Sequence, residues 1–222
     1  MVIFRDDIKV ELIQSYGSDE MVAKAARVST GNDQVEGQKI EGLIRYLLKA
    51  GHNSPVGHCG ATFRVEAPLF VRDQWFRHRT QEYNAKSLRF SEADPEFYIP
   101  SKERPLHNAG SGAHPDLVPL DDDSDIDYVL YRLRVSYKDA WNGYQDLLYE
   151  GVAEEIARAV LPSGLYTSFY ATANLWNWIK FLEKRIPSEK NKPQLEIVQA
   201  ADQVKAHLTE LFPVVMANAF TD

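Results

Sequence analysis

The hydrophobic period changes along this chain, and that change limits the folds open to it. Over residues 61–67 apolar and polar side chains alternate, with Phe63, Val65 and Ala67 on one side and Thr62, Arg64 and Glu66 on the other. A period of two belongs to a strand with one buried face. From residue 126 onward the apolar side chains recur every three or four positions. Ile126, Leu130, Leu133, Tyr137, Trp141, Tyr144 and Leu148 form one such stripe, with Ser124 as its expected cap. A short helix is expected over about 152–160, stopped by Pro162. A further helix is expected over about 172–185, with Leu175, Trp178, Ile179 and Leu182 inward, and a last one carries Ile197, Ala201, Val204, Leu208 and Leu211. Earlier, Ile40, Leu43, Ile44, Leu47 and Leu48 follow helical spacing between Gly37 and Gly51. Pro68 can open a helix through Phe70, Val71, Gln74, Trp75 and His78. Strands early and helices late make the class α+β. Residues 101–125 are rich in Pro, Gly, Asp and Ser and read as a long surface loop inside one domain spanning 1–222.

Charge narrows the partners. The 222 residues carry a net charge of -7, which disfavours nonspecific binding to nucleic acid. Yet residues 64–89 hold Arg64, Arg72, Arg77, Arg79, Lys86 and Arg89 against Glu66, Asp73 and Glu82, a local net of +3. A cationic patch in an acidic chain suits a small anionic ligand. Arginine grips phosphate oxygens two at a time, and the neighbouring Trp75 and Phe76 can supply flat faces. The competing reading is that these arginines are solvated or pair with Asp73 and Glu82, and that the aromatics pack in the core. The single cysteine excludes an intrachain disulfide and suits a reducing compartment. The first residues, MVIFRDDIKV, lack the apolar core of a signal peptide, and no stretch has the length of a membrane span, so a cytoplasmic location is expected.

On a helix, Arg77 and Arg79 would point to nearly opposite sides and could hold two separate anions. Arg77-His78-Arg79 alone is weak evidence for function. It gains specificity from Ser87 and Arg89, which follow at a fixed distance.

The run RHRTQEYNAKSLR, residues 77–89, resembles the Arg-His-Arg, seven residues, Ser signature of the flavin-dependent thymidylate synthases. The resemblance extends to AARVS at 25–29, GHNSPVGH at 51–58, QWFRHR at 74–79, EFYIP at 96–100, ARAVLP at 157–162, LYT at 165–167 and the 174–185 helix. Residues 101–125 are the main region without a clear counterpart. The resemblance implies a central, mostly antiparallel sheet flanked by helices, with a helix-rich C-terminal half. It implies an enzyme that methylates dUMP to dTMP, taking carbon from methylenetetrahydrofolate and reducing power from NADPH through FAD. It implies a homo-oligomer, a tetramer, in which the cation-rich segment and the 174–185 helix reach each site from different chains.

Carried over by position, FAD would be held by Ser54, Arg77, His78, Arg79, Ala85, Asn174, Leu175, Trp176 and Lys180. The nucleotide would be held by Gln74, Trp75, Phe76, Arg77, Ala85, Lys86, Ser87, Leu88 and Arg89, with Arg158 on its phosphate. Arg185 would be catalytic, stabilising negative charge on the uracil edge. Spacing places Asn174, Phe181 and Arg185 on a helix face apart from the Leu175/Leu182 stripe. Two plainer readings stand beside these, a dipole-favoured arginine at 185 and an Arg158–Glu154 pair.

The chain also departs from the family. Its usual Glu or Gln is Ala85 here, its frequent Asn is Lys180, and its frequent Arg is Trp176. Ala85 supports the alternative of a non-catalytic nucleotide- or RNA-binding module that kept the anion pocket. Cys59 reads as a small buried residue rather than a nucleophile. His52 with His58, and His107 with His114, are too sparse for a zinc set, so no metal is expected.

Overall fold

The structure, a computed structural model, describes residues 1–31, 40–112, 115–120, 122–189 and 191–220, so Gly37, His114 and Asp121 lie outside the described residues. These residues gather into two compact units, each assembled from separate stretches of chain.

The first unit comprises Met1–Asp7, Ala67–Asp73 and Ala85–Thr167. Strands β1 (Ile3–Arg5) and β5 (Glu96–Tyr98) pair in parallel, Phe4 opposite Phe97. Helix α3 (Leu69–Trp75) starts directly after Pro68. The long helix α4 (Asp123–Tyr149) carries the expected stripe. Ile126 and Leu130 pack with Ile99, while Tyr144 is fully buried beside Phe97 and Leu165. The expected cap, Ser124, falls in the first turn of this helix, and its side chain lies outside the described residues. The short helix α5 (Glu154–Ala157) runs into a 3-10 turn, Arg158–Val160, as the stop at Pro162 predicts. Residues 101–125 are not wholly irregular, since β6 (His107–Asn108) and β7 (Leu117–Val118) pair as a small hairpin.

The second unit comprises Ile8–Glu66, Gln74–Asn84 and Ser168–Asp222. It holds most of a central four-stranded sheet ordered β2 (Lys9–Tyr16), β3 (Gly60–Pro68), β8 (Tyr166–Asn174), β4 (Glu82–Ala85). The β2–β3 pair is antiparallel, with an irregularity in register between Leu12 and Gln14. Helices α1 (Asp19–Arg27), α2 (Ile40–Lys49), α6 (Leu175–Arg185), α7 (Leu195–Leu211) and α8 (Pro213–Asn218) complete the unit. The alternation over 61–67 is borne out in β3, where Phe63, Val65 and Ala67 are fully buried. Thr62 is buried too, because its hydroxyl meets that of Thr172 at 2.9 Å.

Two local expectations are overturned. The helix expected from about 172 begins at Leu175, because 166–174 is β8, whose Tyr, Thr and Phe content favours a strand. Asn174 then ends the strand and caps α6, its side chain accepting from the Asn177 N–H at 2.9 Å. Phe181 does not share an open face with Arg185. It is fully buried against Trp75, 4.5 Å between ring centroids, and Trp178. The apolar face of α6 is thus wider than the Leu175/Leu182 stripe, because Trp75 at the end of α3 and His78 in the turn after it cover a second side of it.

Candidate functional site

In the second unit the Arg-His-Arg segment is a turn rather than a helix. Helix α3 ends at Trp75, and the next residues fold back through Arg77 N–H to Gln74 carbonyl (3.4 Å) and His78 N–H to Trp75 carbonyl (3.0 Å). The opposite-sides argument for Arg77 and Arg79 therefore lapses. Both side chains are exposed, and neither makes an ion pair among the described residues. The turn is braced by Tyr83 on β4. Its hydroxyl lies 2.8 Å from the His78 carbonyl and 3.1 Å from the Trp75 carbonyl, and its ring stacks on Phe76 at 4.2 Å. Trp75 itself is fully buried, its indole N–H donating to Gln81 Oε1 at 3.0 Å. Its side chain therefore has no surface to offer a ligand, and the same holds for the fully buried Leu175.

Arg185, in the last turn of α6, reaches this turn within one chain. Its Nε donates to His78 Nε2 at 2.9 Å, and a terminal nitrogen donates to the Gln74 carbonyl at 2.7 Å. The resemblance assigned these two elements to different subunits at each site; a single chain already joins them. His78 accepts from a cation only while neutral. Burial, reinforced by Arg185 and then Lys184, pulls its pKa down to about 4. Burial also lowers the pKa of the half-buried Arg185, which faces Tyr83 and, among the described residues, no carboxylate. A partly desolvated guanidinium without an acidic partner is a standing attraction for an anion.

In the first unit, Ala85, Lys86, Ser87, Leu88 and Arg158 line one cavity of about 450 Å³ with Arg72, Leu161 and Thr167. Its cations are partnered: Lys86 with Asp94 (2.6 Å), Arg72 with Asp73 (2.7 Å), and Arg158 through Nε to the Glu155 carbonyl (3.2 Å). Nearby in sequence, Arg89 pairs with Glu155 at 2.7 Å. Arg158 thus bonds a main-chain oxygen rather than the Glu154 carboxylate. Arg72 was counted among the cations but given no role. Its place at the cavity wall follows from the turn of α3, which the strand-to-helix junction at Pro68 sets.

A second cavity in the second unit, about 740 Å³, gathers Trp176 and Lys180 from α6, Glu41, Arg45 and Lys49 from α2, Asn53, and Ala217–Ala219. Lys180 sits 4.4 Å over the Trp176 ring and pairs with Glu183 at 2.8 Å. Ser54 is exposed in the adjoining loop. The sequence alone did not mark Arg45 and Lys49, which lack any local motif, and it gave Asn53 no role although it lies in the GHNSPVGH run; these residues meet Trp176 only through folding. Cys59 is fully buried, its thiol pushed up in pKa by burial, as expected of a packing residue. Among the described residues no helix is long and apolar enough to cross a membrane.

The model of the thymidylate synthase complementing protein family matches residues 11–214. The flavin-dependent thymidylate synthase of Streptomyces avermitilis is 37% identical across 96% of this chain and 91% of its own length. That of Thermotoga neapolitana is 38% identical across 92% and 87%. Among solved structures, the UMP/dUMP methylase PolB from Streptomyces cacaoi, bound with 5-Br UMP, superposes with a TM-score of 0.91 at 38% identity, covering 98% of this chain and 95% of that one. The same protein bound with 5-Br dUMP gives 0.89, covering 98% and 96%. These matches define a pyrimidine-modifying class of enzyme fold. Within it, the chain belongs to the flavin-dependent thymidylate synthase family.

Proposed function

We propose that this enzyme converts dUMP to dTMP in the cytoplasm, with FAD as its redox group, NADPH as reductant and methylenetetrahydrofolate as carbon donor. The observation that carries the reading is Arg185, held by a neutral histidine and a carbonyl, half-buried and facing no carboxylate among the described residues. A cation so placed can stabilise the negative charge that develops on a uracil ring during activation. His78 assists by staying neutral, since a second cation there would repel Arg185.

The residues present fit a flavin nucleotide. The 740 Å³ cavity offers an indole face at Trp176 and ammonium groups at Lys49 and Lys180, which suit a flat ring and a diphosphate. Arg77, Arg79, His78, Ser54 and Asn174 extend that assignment, whereas the fully buried Leu175 has no accessible surface to add. When bound, a flavin supplies hydride chemistry that no side chain can perform. The chain's part is to hold, orient and neutralise. Lys86, Ser87, Arg158 and Arg72 around the 450 Å³ cavity are assigned to the nucleotide monophosphate, with Gln74, Phe76, Leu88 and Arg89 beside them in sequence. Ala85 adds only a methyl group to that wall. The whole chain acts as one domain, since each compact unit is discontinuous and neither can be excised by a single cut. A tetramer is the expected assembly.

The similarity to a UMP/dUMP methylase favours one second reading, that UMP is also accepted. The test is an absorbance spectrum of the purified protein, followed by turnover of dUMP and of UMP with both co-substrates. A flavin spectrum and dTMP formation are expected. A colourless protein that neither takes up FAD nor forms methylated product would overturn the reading.

A further inference from the structure

Near its start, strand β8 carries a polar side chain on an otherwise apolar side. Thr167 shares that side of the strand with Phe169, Ala171 and Ala173, all buried. The strand does not need the hydroxyl, because valine has the same shape and an equal liking for strands. Thr167 is 8% exposed, and its side chain makes no hydrogen bond among the described residues. A hydroxyl on so buried a residue ordinarily finds a partner.

This hydroxyl is nevertheless not sealed. Among the described residues, the side-chain polar atoms that lack both a partner and accessible surface are Asn53 Oδ1 and Gln81 Nε2, and Thr167 Oγ1 is not one of them. It therefore keeps open surface. The cavity whose wall Thr167 joins is the 450 Å³ one of the first unit.

The rest of that wall divides by chemistry. Ser87 and Arg158 are exposed, and Arg72 and Lys86 are half-buried. These groups suit phosphate oxygens at the open side. Leu69, Ala85 and Leu161 are apolar. Thr167 is the most buried of the polar lining residues and carries no charge. Ser87, the other hydroxyl, is already engaged, accepting from Arg89 N–H at 3.3 Å. With the phosphate drawn to the cations, the nucleoside half of a nucleotide is left to the apolar and neutral lining. A hydroxyl both donates and accepts, so it matches a sugar hydroxyl or a pyrimidine carbonyl.

We propose that Thr167 Oγ1 hydrogen-bonds the nucleoside half of the pyrimidine nucleotide in this cavity, at a sugar hydroxyl or a ring carbonyl, and is thus a substrate-binding residue. The inference rests on the assignment of this cavity to the nucleotide monophosphate and adds a contact to it.

The test is calorimetric titration of the FAD-loaded protein with dUMP, for the native chain, Thr167→Val and Thr167→Ser. Thr167→Val should bind dUMP about five- to tenfold more weakly, the scale of one lost hydrogen bond. Thr167→Ser keeps the hydroxyl and should stay within about threefold of the native chain. The melting temperature of Thr167→Val should match or exceed the native one, since strand preference is kept and an unpartnered group is removed. Inorganic phosphate, which meets the cations alone, should bind the valine variant as well as the native chain. Repeating the titration with 2′,3′-dideoxy-UMP locates the partner. If the valine variant then shows no loss, the partner is a sugar hydroxyl, and if the loss persists it is the ring; either supports the proposal. Binding of dUMP to Thr167→Val within about twofold of native overturns it. So does an equal loss for inorganic phosphate, or a loss in Thr167→Ser as large as in Thr167→Val. Thr167→Ala gives the same reading if the valine variant does not fold. If neither folds, Thr167 serves the strand and the proposal fails. A native chain that takes up no FAD or binds no dUMP defeats the proposed function itself, an outcome distinct from a valine variant that binds as well as the native chain.

Discussion

At the scale of single residues, the pairing of Arg185 with His78 links stability to pH. The imidazole has a folded pKa of about 4 against an ordinary value of 6.5. Between those values the unfolded chain binds the proton and the folded chain does not. This contribution therefore erodes as pH falls from about 6.5 toward 4, and is constant above. Urea unfolding at pH 7 and pH 5 should show the native chain losing part of its stability advantage over His78→Gln at the lower pH. Arg185→Ala should remove nearly all turnover, a loss of two or more orders of magnitude by analogy with other electrostatic donors, while flavin absorbance remains. Near-native activity in that variant would defeat the activation role. The arginines themselves were legible in the sequence as a local excess of positive charge, but their partners were not. Which carboxylates hold Arg89 and Lys86, and that Arg185 has none among the described residues, depends on residues up to 111 positions away.

At the scale of elements, helix ends set the positions of the candidate site residues. Asn174 closes β8 and caps α6, so it fixes where the helix that carries Trp176, Lys180 and Arg185 begins. Asn174→Ala should cost about 1 kcal/mol in denaturant unfolding. Helix α8 is capped from outside: the buried Asp19 carboxylate accepts from Val214 N–H at 2.8 Å and Val215 N–H at 3.0 Å. Asp19→Ala leaves one buried and one part-buried donor unmatched and should cost roughly 1–3 kcal/mol. A cost below about 0.5 kcal/mol would show that the cap is not needed. Periodicity announced α4, α6 and α7 well, because a long apolar stripe has few other uses. It missed β8 and β2. In β8, Ala171 and Ala173 are small and buried, giving little hydrophobic contrast. In β2, an edge strand, most side chains are exposed. The helix expected through His78 stopped at Trp75, because tertiary bonds from Tyr83 and Arg185 claim the carbonyls of Gln74, Trp75 and His78.

At the scale of the whole molecule, each compact unit draws its chain from three separate stretches. Each unit therefore needs long-range closure, and two-state folding should be slower than for a helical bundle of equal size. The assembly has its own test: light scattering should give a mass near four times 25.3 kDa. A monomer that still turns over would refute the tetramer. The sequence by itself determined the α+β class, the chief helices and the family, because hydrophobic period and a spaced run of cations are local properties. Tertiary structure decided the rest. It made the Arg-His-Arg run a turn, buried Trp75 and Phe181, and put Arg185 beside a neutral histidine. Burial and hydrogen-bond partnership arise between residues far apart in sequence, and no local pattern encodes which of them will meet.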